Sequence, residues 1–107
     1  MTGTRVSNDV RAQIAAQIDG IGQRLDRAAP SDLRLELNMV RRVARLHQIA
    51  PVLAVTALLD AALARGERGP LVHGGFGVLR EAAGSERIDE QAASIFAAAC
   101  SVRLAGG

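Results

Sequence analysis

The stretch PLVHGGFGVLR, residues 70–80, holds the side chains most suggestive of chemistry: His73 beside Gly74, with Gly77 and Arg80 one and two helical turns further on. A histidine set among glycines has three uses. Glycine amides can cradle a phosphate, the imidazole can carry a phosphoryl group, or the glycines can thin one face of a helix so that another backbone comes close. A phosphate cradle of the Walker type needs G-x-x-x-x-G-K-[ST] behind a strand. This chain has no lysine, and neither Ser nor Thr follows Gly77, so the first use does not fit.

The second use invites comparison with histidine phosphotransfer domains, which are single helical bundles of similar size with an exposed histidine on a helix. Their pattern sets a basic residue three positions after the histidine and a glycine four after. Here those positions are Phe76 and Gly77. The glycine fits and the cation does not. Gly74 and Gly75 also depart from the pattern, and Arg80 on the same face is the nearest substitute charge. The similarity is confined to one residue type and the overall architecture, and would imply a signalling module using His73.

Two further groups of residues could act. Arg34, Arg41, Arg42 and Arg45 fall on one side of a helical segment. Such a face can neutralise phosphates of DNA or RNA, meet an acidic protein surface, or simply be solvated. No helix-turn-helix spacing accompanies it, Asp26 and Asp32 dilute its field, and no aromatic platform exists for single strands. A nucleic-acid partner is therefore the last of the three expectations. The acidic residues Glu86, Asp89 and Glu90 offer a surface that could meet the arginines, within one chain or between two.

The third group is Glu36, His47 and Asp60, polar residues within apolar surfaces and hence candidates for burial. Buried carboxylates shift upward in pKa unless paired, and such groups gather at functional sites. A metal site is not expected, because Glu36 and His47 are eleven positions apart, roughly 16 Å along one helix, and no Glu-x-x-His is present. The expectation is that they sit at core edges, with Glu36 paired to an arginine and Asp60 meeting an arginine or a backbone amide. The single cysteine, Cys100, rules out an internal disulfide and reads as a buried thiol. No catalytic residue and no cofactor is expected.

These side chains must be positioned by helices. Apolar residues recur at three and four positions, the helical period, and no segment reads as a strand. At 107 residues with 49% hydrophobic content the chain is one domain able to bury a core. That core must be aliphatic and small, because only Phe76 and Phe96 are aromatic and there are twenty alanines. All thirteen basic residues are arginine, as codon use in a GC-rich bacterial genome would favour. The net charge of +2 is slight.

Five segments emerge. The first starts at Ser7 or Asn8 and ends before Pro30, with Val10, Ile14, Ile18, Ile21 and Leu25 in one seam. The second, with Ser31 as its natural N-cap, carries a wide apolar arc of Leu33, Leu35, Leu37, Met39, Val40, Val43, Ala44 and Leu46. The third begins at Pro51 and ends at Gly66. It is apolar nearly all round, so it must be central or shared with a partner chain. The fourth, up to Gly84, has an apolar side through Phe76 and Leu79 and a thin side of His73, Gly74, Gly77, Arg80 and Glu81, although residues 70–75 could also be loop. The fifth is capped by Ser85 and has a shallow seam of Ile88, Ala92, Ile95, Ala99 and Val102. Residues 1–6 and 105–107 are expected to fray.

The expected fold is therefore all-α, a compact single-domain bundle of four to five antiparallel helices. No stretch suggests a signal peptide or a membrane span, so a cytoplasmic location is expected. The apolar third segment, the alanine-rich fifth and the glycine face of the fourth point to a homodimer, and the composition as a whole to a non-catalytic interaction or regulatory module with a protein partner.

Overall fold

The computed structural model describes residues 8–106, and Ser7 with the rest of the N-terminal segment lies outside them. Five α-helices follow one another: α1 Asn8–Gln23, α2 Pro30–Leu46, α3 Ala50–Ala64, α4 Pro70–Gly84 and α5 Glu90–Leu104. There is no strand among the described residues. The molecule is an all-α bundle. Helices α1 to α4 form a closed ring in which each packs on the next and α4 returns to α1, while α5 lies along the groove between α3 and α4. Sequential neighbours run antiparallel. α5 runs parallel to α3, since both begin at one end, where the Ala50 amide donates to the Ile88 carbonyl at 3.3 Å.

Proline and glycine set the element boundaries. Pro30, Pro51 and Pro70 all stand in the first turn of a helix, where a missing amide costs nothing. α2 thus starts two residues earlier than Ser31 suggests, with Ala29 as its N-cap and no side-chain cap. α4 is helical from Pro70 onward, so residues 70–75 are not a loop. At α5 the cap is Asp89, which accepts from the Ala92 amide at 2.8 Å. Ser85 instead closes the preceding turn through the Arg87 amide. The Asp89 carboxyl is held below its ordinary pKa, first by the Ala92 amide and then by Arg87, which favours the charged, capping form.

α2 and α3 end in the same way. In each, two amides beyond the helix fold back onto its last carbonyls: Gln48 and Ile49 onto Arg45 and Ala44, and Gly66 and Glu67 onto Leu63 and Ala62. This motif needs a left-handed residue just past the cap. Gly66 supplies it at φ 81° without strain, whereas Gln48 adopts φ 56° despite its side chain. Gln48→Gly removes that cost, and the thermal midpoint is expected to rise by the equivalent of about 0.5 kcal/mol. A fall in midpoint on differential scanning calorimetry would contradict this account.

The core contains Ile14, Ile18, Ile21 and Leu25 of the first seam, as expected, with Val10 half-buried at its margin. α3 is the central helix. It is covered by α2, α4 and α5, and its fully exposed positions within the helix are the small Ala57, Ala61 and Ala64. Its apolar circumference is therefore satisfied inside one chain. Thr56, its one buried polar side chain, donates to the Leu53 carbonyl at 3.0 Å.

Two expected arcs change. In α2 only Leu33, Leu37, Val40 and Ala44 are buried, with Val43 half-buried. Leu35, Met39 and Leu46 point outward. In α5 the packed residues are Ala92, Ala93, Phe96 and Cys100, with Leu104 at the margin. The expected seam of Ile95, Ala99 and Val102 is exposed, because α5 is rotated by roughly 110° from the orientation that would bury it.

Candidate functional site

The thin side of α4 faces two neighbours. Gly77 opens onto a groove of about 460 Å³ between α1 and α4, and nothing lies within 4 Å of where its Cβ would stand. Two side-chain contacts cross this groove. His73 Nε2 lies 2.9 Å from Asp26 Oδ1, and Arg80 Nε donates to Asp19 Oδ1 at 2.9 Å. Both are solvent-exposed, and such pairs contribute little to stability. Gly74 faces the other way, under the stem of Arg103 on α5. The glycine that the packing requires is Gly75, where a Cβ would come within 2.7 Å of Leu59 and 3.2 Å of Leu104.

For phosphoryl transfer, His73 would need a nearby cation free to meet the phosphoryl group. Its Nε2 lies beside a carboxylate, and Arg80 is held by Asp19. The geometry lends that reading no support.

Of the three polar residues expected at core edges, two lie there and one does not. His47 is exposed, because it follows the last core residue of α2, Ala44, and forms the cap. Glu36 is half-buried on the flank of α2 nearest α1 and pairs with Arg24. Asp60 is half-buried on α3 and takes both arms of Arg34, at 3.0 and 3.4 Å. The structure brings no two of the three together. Among the described residues no group of three or more His, Cys, Asp or Glu side chains could hold a metal ion. Cys100 is buried, and burial pushes its thiol up to about 11, the direction of an inert group rather than a nucleophile.

The arginines separate into two kinds. Arg34 is committed to Asp60. Arg41, Arg42 and Arg45 have no carboxylate partner among the described residues. No ion pair among the described residues joins Glu86, Asp89 or Glu90 to them. Arg41 lines a groove of about 450 Å³ between α2 and α3, and its Nε is shielded from solvent without an acceptor.

Between these arginines and the acidic flank runs a stripe that sequence reasoning assigned to the core. Leu35, Met39 and Leu46 are 65%, 55% and 77% exposed, and with Arg42 they repeat at spacings of four, three and four. This stripe lies about 160° around the helix from the buried one. α2 therefore has two apolar seams on opposite sides, with Arg34, Asn38, Arg41 and Arg45 along one flank and Asp32 and Glu36 along the other. The excess width of its apolar arc was the signal in the sequence: eight positions are more than one buried face can hold. A second, shorter stripe of Ile95, Ala98, Ala99 and Val102 lies along the outer side of α5.

Comparison with known protein families, with curated proteins and with solved structures finds no match for this chain. No helix among the described residues is long and apolar enough to cross a membrane.

Proposed function

We propose that this protein is a non-catalytic helical interaction module whose working surface is the outer seam of α2. The observation that carries the proposal is the second apolar seam opposite the core. One seam satisfies folding, and three large apolar side chains left in water beside unpaired arginines have no folding role. Leucine, methionine and arginine together match the composition of interface centres, where arginine and methionine are enriched. A photo-crosslinking amino acid in place of Met39, expressed in the native cell, is expected to form an adduct with another protein, while the same group at exposed Glu81 is not. The absence of any adduct specific to Met39 would remove the proposal.

Self-association belongs to the same reading and is assigned to α5. Its outward sector holds Ile95, Ala98, Ala99 and Val102, bordered by Gln91, Ser94 and Ser101 and free of carboxylates. Two copies can approach there without charge repulsion, and the alanines allow close backbone contact. Light scattering after size exclusion is expected to show a dimer that Ile95→Asp converts to monomer. A wild-type monomer at high micromolar concentration would remove the dimer alone.

A further inference from the structure

We infer that the occupant of the α2 outer seam is an amphipathic helix of another protein, with carboxylates along the side that meets Arg41, Arg42 and Arg45. The inference rests on the reading of α2 as an interaction surface and adds the chemistry of what binds it.

Charge excludes a second copy of the same seam. In an antiparallel pair of α2 helices each flank would face its own counterpart, so Arg41 and Arg45 would lie against the same arginines of the other chain. In a parallel pair in register, Arg42 would face Arg42 within the apolar seam. Either arrangement sets uncompensated cations together where water is being removed, and flanking charges decide which helices pair.

Charge also selects the occupant. Arg34 is neutralised by Asp60, and Glu36 by Arg24. The charge left without a partner on the α3 side and in the seam is therefore all positive and lies in the C-terminal half of α2. The shielded Nε of Arg41, beside the α2–α3 groove, is a donor that an incoming carboxylate would satisfy. A polyphosphate backbone fits less well. Leu35, Met39 and Leu46 occupy the middle of the face and would gain nothing against phosphates, while base stacking has no exposed aromatic side chain to use: Phe76 is buried and Phe96 half-buried. An anionic lipid surface would meet Asp32 and Glu36 on the other flank.

The test uses a synthetic helical peptide with leucines in a heptad seam, glutamates along one flank and glutamines along the other, a matched peptide with lysine for each glutamate, a short DNA duplex, and vesicles of phosphatidylserine and phosphatidylcholine. Binding to the full chain is followed by fluorescence anisotropy of a labelled probe. The acidic peptide is expected to bind, more weakly as salt rises. The double change Arg41→Glu and Arg45→Glu should lower its affinity by about tenfold or more, with Met39→Asp acting similarly. Glu81→Ala on α4, exposed and outside both proposed interfaces, should leave it unchanged. These positions are solvent-exposed or half-exposed, and circular dichroism of each variant confirms the fold. The inference is overturned if the lysine peptide binds as tightly, if DNA or vesicles bind in preference, or if the acidic peptide fails to bind. A Met39 adduct in cells together with no binding of the acidic peptide would overturn the partner chemistry alone. Loss of both would remove the interaction module as well.

Discussion

Truncating Leu59 to alanine lowers the unfolding free energy by about 2–5 kcal/mol, the largest loss expected from a single side chain in this protein. Leu59 has no exposed surface and sits on α3, the helix covered by three others. Its side chain reaches the backbone of α4 at Gly75. The void left by truncation would open beside Gly75, which has no side chain to swing into the space. A domain of this class has about 5–15 kcal/mol in total, so the variant retains a fold with much reduced margin. Urea unfolding followed by circular dichroism measures it: the midpoint falls and the slope is unchanged. A loss below about 1 kcal/mol would mean that α3 is not the centre of the bundle.

Gly75→Ala is the second large effect, and its sign runs against helix propensity. Alanine is favoured over glycine within a helix by about 1 kcal/mol. At position 75 the new methyl would stand 2.7 Å from Leu59 Cδ2 and 3.2 Å from Leu104 Cδ2. Leu59 is locked in the core and cannot turn away, so overpacking costs about 1–3 kcal/mol and outweighs the propensity gain. Gly77→Ala, two positions on, meets open groove and should stabilise by about 0.5–1 kcal/mol. The pair of variants separates packing from propensity within one helix. Combining Gly75→Ala with Leu59→Ala supplies the decisive control, because the methyl can then enter the space that Leu59 vacates. The double variant should lose less than the two single losses added together, as contacting residues do. Strict additivity would show that the close approach between α3 and α4 is not where the structure places it.

Much of the candidate surface could be read from residue order, and some of it only in part. The thin side of α4 is an instance of the first kind. His73, Gly77, Arg80 and Glu81 project away from Val72, Phe76 and Leu79 in any regular helix, and the structure exposes all four. Their partners Asp26 and Asp19 were not legible, because nothing local pairs a residue with one 47 or 61 positions away. The arginines of α2 were legible as a group. Only the fold showed that Arg34 is spent on Asp60 while Arg41, Arg42 and Arg45 remain unpaired. Leu35, Met39 and Leu46 were visible too, but were placed on the wrong side of the protein surface.

The division follows from what a helical repeat encodes. Periodicity specifies which residues share a face, and residue order alone therefore determined that the chain is all helical, that α1 buries Ile14, Ile18 and Ile21, that α3 must be surrounded, and that Phe76 and Leu79 share the apolar side of α4. It does not specify which of two apolar faces a helix turns inward when both are present. In α2 the choice went to Leu33, Leu37, Val40 and Ala44, which fit between α1 and α3. In α5 it went to the face of Phe96, Cys100 and Leu104, the last two of which fill the space beside Gly75. Those choices depend on shapes contributed by other helices, and close packing discriminates between faces that hydrophobicity alone treats as equal. Tertiary structure thereby decided which apolar residues hold the protein together and which are left outside for a partner.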